Sequence, residues 1–153
     1  MRIAGVAAGL AIAAAATGAW AHGESGEALP FGRAGVASKA TRTIAVSMGD
    51  AMRFDPAEIH VRTGETVRIV VRNDGKLRHE FVLGTMDELR EHAAMMRRMP
   101  EMEHHDAHMA TVEPGASATI LWQFAKPGTF HYGCLEPGHL EAGMSGTVIV
   151  GAR

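Results

Sequence analysis

The stretch Cys134-Leu-Glu-Pro-Gly-His139-Leu-Glu-Ala-Gly-Met144 places the chain's one cysteine, an imidazole and a thioether at equal steps along the sequence. Thiolate, imidazole and thioether are ligand types that copper prefers over hard cations. A glycine precedes both His139 and Met144. A short loop with Gly and Pro can fold back and aim three side chains at one point, which a strand or helix of that length cannot do. The loop reads as three ligands of one copper ion, with a fourth expected from a strand neighbouring the one that ends in Cys134. His79 is the candidate, because it follows the turn-rich Asn73-Asp74-Gly75 and opens the strand His79-Glu-Phe-Val-Leu. Zinc would also accept Cys and two His, but methionine in fourth place favours copper. A Cys-His nucleophile would need a base and an oxyanion hole. His131, three residues before Cys134, falls on the opposite strand face, so no catalytic residue is assigned and no enzyme activity is expected.

A second group of soft ligands lies between His92 and Met109: Met95, Met96, Met99, Met102 and Met109 with His92, His104, His105 and His108. On a helix, His92, Met95, Met96 and Met99 share one stripe, while Met86, Leu89, Ala93 and Met96 make an ordinary buried face. Met96 fits either role. The acidic, non-helical run holding His104, His105, His108 and Met109 is expected to stay unburied and to bind additional copper weakly. Met48 and Met52 read as a strand-end core residue and a loop residue, His60 as exposed, and His22 as a leader histidine or, as the mature terminus, a Cu(II) chelator.

Compartment and partners follow from the ends and the charge. Met1-Arg2, an uncharged Ala- and Gly-rich run from Ile3 to Ala21 and the small-x-small Ala19-Trp20-Ala21 form a secretory signal pattern. Residues 1–21 are expected to be removed on export to the periplasm, leaving no permanent membrane anchor. An exported lone cysteine has no disulfide partner, and metal ligation gives it a use. With 15 basic against 17 acidic residues, no cationic field for nucleic acid exists.

Residues 22–40 lack a sustained period and read as a flexible leader. From 41 to 153 a single domain is expected. Alternation at Ile44/Val46/Met48, Ile59/Val61 and Val67/Ile69/Val71, then over 80–83, 118–124, 129–134 and 146–150, predicts half-buried strands. Thr85 with Glu88 is a capping box for one helix that must stop by Pro100. The fold class is all-β, an antiparallel Greek-key β-sandwich, with an insertion over 85–110 that carries a short helix and the Met/His-rich segment.

The run Phe54-x-Pro56-x-x-Ile59-x-Val61-x-x-Gly64-x-x-Val67-x-Ile69, with Asn73 and His79-x-Phe81, resembles the cupredoxins, the blue-copper proteins that include plastocyanin, azurin and rusticyanin. Cys134-x4-His139-x4-Met144 is similar to their ligand loop, with spacing nearest to rusticyanin's. The resemblance implies an eight-stranded sandwich holding one type 1 copper, with His79, Cys134 and His139 equatorial and Met144 a weak axial ligand. Several members carry Asn after the first ligand His and a hydroxyl residue after the Cys. This chain has Glu80 and Leu135, so a perturbed, greener site is expected. The expected role is a periplasmic copper protein cycling Cu(I)/Cu(II) in copper homeostasis or tolerance. A soluble one-electron carrier for a respiratory or reductase partner is the alternative, and a copper oxidase ranks third. The partners expected are copper ions and a redox protein or copper transporter.

Overall fold

A computed structural model of the chain describes residues 28–102 and 105–153. The signal segment, His22 and His104 lie outside those residues. The elements are β1 (Gly32–Ala34), β2 (Arg42–Gly49), β3 (Arg53–Asp55), β4 (Glu58–Arg62), β5 (Thr66–Asn73), β6 (His79–Gly84), α1 (Met86–Arg98), β7 (Met109–Val112), β8 (Ser117–Phe124), β9 (Gly128–Gly133) and β10 (Ser145–Gly151). Two five-stranded sheets have the orders β1-β8-β5-β2-β3 and β4-β10-β9-β6-β7. Because successive side chains in a strand point to opposite faces, the alternating apolar residues of each strand meet between the sheets. Val67, Ile69 and Val71 of β5 and Ile120, Trp122 and Phe124 of β8 pack there with Phe130 and Tyr132 of β9 and Val148 and Val150 of β10.

The all-β sandwich with one inserted helix is as expected, with three differences. The described residues form ten strands where the resemblance implied eight, and β1 and β3 span only three residues each. The sandwich is not wholly antiparallel: β2 runs parallel to β5, and β4 to β10. Alternation marks which face of a strand is buried and carries no information on the direction of its neighbour. The leader is also ordered over its described part. Leu29 bridges to Gly32, and β1 pairs antiparallel with β8. Phe31 is buried, with its ring centroid 5.3 Å from that of Trp122 and 5.4 Å from that of Phe130. One large aromatic residue anchors this segment, and a single residue has no period to detect.

The helix behaves as its cap foretold. Thr85 Oγ1 accepts from the Glu88 amide, and the Glu88 carboxylate accepts from the Thr85 amide at 2.7 Å. Leu89, Ala93 and Met96 form its buried face, in one cluster with Val82 and Leu135 and against Met102, Met109 and Leu140. β6 is therefore buried along its whole length. Phe81 and Leu83 face the sandwich core, while Val82 faces the helix. Among the described residues, no helix is long and apolar enough to cross a membrane.

Candidate metal centre

The first residue of β6, the end of β9 and the loop joining β9 to β10 meet at one end of the sandwich. β6 and β9 are hydrogen-bonded neighbours, with Val82 opposite Gly133, and this brings His79 beside Cys134 across a long sequence separation. The loop is sewn to itself by its backbone. The Cys134 amide donates to the Met144 carbonyl at 3.1 Å, the Met144 amide to the His139 carbonyl at 3.0 Å and the His139 amide to the Glu136 carbonyl at 3.0 Å. Gly138 and Gly143, the residues just before His139 and Met144, have φ of 86° and 91°, a conformation that glycine adopts without strain. Two straps tie the loop to the frame: Arg78 Nε donates to Glu136 Oε1 at 2.6 Å, and Arg53 Nη1 to the Ala142 carbonyl at 3.0 Å.

Inside this enclosure Cys134 Sγ lies 3.3 Å from His139 Nδ1 and 3.8 Å from His79 Nδ1. One donor atom from each of the three residues falls within 4.8 Å of the others. Met144 is buried in the core cluster that contains Cys134. Cys134, His79 and Met144 are buried, while His139 is partly exposed. Burial pushes the Cys134 thiol up to about 12, against the opposing pull of the Glu80 and Glu136 amides. Burial, with His79 nearby, lowers the His139 pKa. His139 therefore offers a lone pair at neutral pH, whereas the thiol yields its proton only when a metal displaces it. A buried thiol faced by two δ-nitrogens, with a thioether on the same loop, fits a soft, borderline cation such as copper.

The two departures from the family pattern are both placed by the structure. The Glu80 main-chain amide donates to Cys134 Sγ at 3.2 Å, so the backbone ties the two ligand segments together. The Glu80 carboxylate accepts from the Thr111 hydroxyl at 3.2 Å, and Leu135 is buried under α1.

One residue beside the centre was not singled out from the sequence. Asp50 Oδ1 lies 3.2 Å from His79 Nε2, the nitrogen turned away from the thiol. The Lys76 amide donates to both Asp50 oxygens, at 3.0 and 2.8 Å, and the Leu77 amide donates to Oδ1 at 3.2 Å. These amides hold the Asp50 carboxyl below its ordinary pKa. An acidic residue at a strand end is commonplace, and no local pattern marks this one.

The other soft residues divide. Met96 is buried in the helix cluster, while Met99 is exposed. Met48 is core and His60 is exposed, as expected, and Met52 is partly buried against the core with φ of 56°. The expectation that His108 and Met109 stay unburied is corrected. His108 is half-buried, its carbonyl accepts from the Leu83 amide at 3.0 Å, and its ring centroid lies 6.0 Å from that of Trp122. Met109 opens β7 opposite Val82 and packs on the helix cluster. The need to satisfy β6's free edge recruits this segment as a strand, and its polar composition concealed that.

The family model for copper binding proteins of the plastocyanin/azurin family matches residues 40–151. The chain is 57% identical to a copper-resistant cuproprotein CopI of Rubrivivax gelatinosus, in an alignment covering 79% of this chain and 73% of the relative. It is 35% identical to a copper-resistant cuproprotein CopI of Pseudomonas aeruginosa, covering 93% and 91% respectively. Among solved structures, an auracyanin from Roseiflexus castenholzii superposes with a TM-score of 0.63 at 24% identity, covering 72% of this chain and 98% of that one. Auracyanin B does so with a TM-score of 0.66 at 22% identity, covering 78% and 96%.

Proposed function

Because the chain belongs to the plastocyanin/azurin family of copper-binding proteins, we propose that His79, Cys134, His139 and Met144 hold its copper, and that the protein serves copper tolerance in the periplasm. The observation that carries the assignment is the buried Cys134 thiol with His139 Nδ1 at 3.3 Å and His79 Nδ1 at 3.8 Å. A copper bound there supplies one-electron exchange between Cu(I) and Cu(II). The residues contribute a soft donor set, exclusion of water from three of the four ligands, and a loop whose backbone bonds and straps resist change of shape. Glu80 and Leu135, where the family often has Asn and a hydroxyl, support a greener type 1 site.

Copper tolerance is supported by the names of the two relatives and by the Met/His-rich insertion beside the centre. Met96, Met102 and His105 line an open depression of about 430 Å³ together with Glu80 and Glu136. This is where additional, weaker copper would gather. A second reading, an electron carrier to a protein partner, is favoured by one observation: His139 is the partly exposed ligand.

The test combines a spectrum with growth. Copper-loaded protein should show an intense thiolate-to-copper band that Cys134→Ser abolishes, and retention of the band in that variant would refute the site. A strain lacking the gene should become copper-sensitive and recover with the wild-type gene but not with Cys134→Ser. Unchanged copper sensitivity on deletion would turn the assignment to the electron carrier.

A further inference from the structure

We propose that Asp50 is a positioning residue for the copper centre, holding His79 with Nδ1 toward Cys134 and strengthening that imidazole as a donor to Cu(II). The inference rests on the ligand assignment above. An imidazole has two nitrogens, and the partner of the nitrogen turned away from a metal sets the ring's tautomer and basicity. His79 Nδ1 faces the thiol at 3.8 Å and Nε2 faces Asp50 Oδ1 at 3.2 Å. With His79 buried and Asp50 bearing a carboxylate, the ring sits between the metal position and a negative charge.

That carboxylate is itself fixed. The Lys76 and Leu77 amides grip it, and a Cβ on Gly75 would stand 2.1 Å from Asp50 Oδ1, so only glycine allows the close approach. The turn is anchored in turn by buried Asn73, whose Nδ2 donates to the carbonyls of Leu77 (2.7 Å) and Val112 (2.9 Å) and whose Oδ1 accepts from the Gly75 amide (2.9 Å). Swinging Asp50 away from His79 would break its bonds to the 76–77 amides. A carboxylate behind the ligand ring favours the ion of higher charge, so it binds Cu(II) preferentially and lowers the reduction potential.

Potentiometry, Cu(II) competition and electron paramagnetic resonance on copper-loaded protein test this with Asp50→Asn, which keeps an oxygen for the turn amides and removes the charge. Cu(II) affinity should fall about tenfold with Cu(I) affinity nearly unchanged. For one electron, a tenfold change in that ratio raises the potential by about 59 mV. Gly75→Ala, which displaces the carboxylate without altering it, should shift the potential in the same direction. If both variants keep the wild-type potential and Cu(II) affinity while Cys134→Ser still abolishes the band, the role of Asp50 is refuted and the site stands. If the wild-type protein has no such band, the ligand assignment falls, and this inference with it.

Discussion

At the scale of single residues, the centre is a balance between burial and donation. Cys134 lies where its thiolate would be poorly solvated, and its proton is held to about 12 against an ordinary value of 9.0. The linkage has a definite sign. Below about pH 9 the thiol is protonated in both folded and unfolded chains. Above it the unfolded chain releases the proton while the folded protein retains it. Stability of the metal-free protein should therefore decline from about pH 9 toward about pH 12, by a component absent from Cys134→Ser, as melting curves across that range would measure. Copper uptake must expel the same proton, so the apparent copper affinity should rise with pH through neutrality by roughly tenfold per unit for one released proton. Competition titrations at several pH values check the slope.

At the scale of elements, α1 and the strand that follows do more than carry methionines. The helix covers Val82 and Leu135, the residue next to the thiol, and β7 completes the edge of β6. The insertion is thus part of the wall of the metal centre. Deleting it whole would unroof Leu135 and confuse packing with ligation. Substituting Met99, His104 and His105 with serine or alanine spares the buried face of α1, because Leu89, Ala93 and Met96 remain with Met102 packed against them. Such a variant should keep the coloured centre while binding less copper in total, as metal analysis after equilibrium dialysis would report. Unchanged stoichiometry would remove the insertion from copper handling.

At the scale of the whole molecule, the sandwich closes the distance between His79 and the loop from Cys134 to Met144, and the sheet that holds β8 takes in, as β1, part of the segment expected to be a loose leader. Phe31 fills space between Trp122 and Phe130 at the β1 edge. Phe31→Ala should cost about 3–5 kcal/mol, readable as a lower denaturant midpoint, while the colour of the loaded protein persists because Phe31 packs on Phe130 near the start of β9, whereas Cys134 follows its last residue. A leader without structural role would leave the midpoint unchanged.

Much of the fold and the centre was legible in sequence because the signals are local. Period-two alternation marks the strands, Thr85 and Glu88 mark the helix start, and the spacing of Cys134, His139 and Met144 marks the loop. Donor identity alone selected copper. What needed tertiary structure were the other relations across the chain: the parallel pairings of β2 with β5 and β4 with β10, the burial of Phe31, the recruitment of Met109 into β7, and Asp50 behind His79. These depend on which segments pack together, and neither periodicity nor composition specifies that. A side chain's type says what it can donate, while its neighbours in space decide to whom.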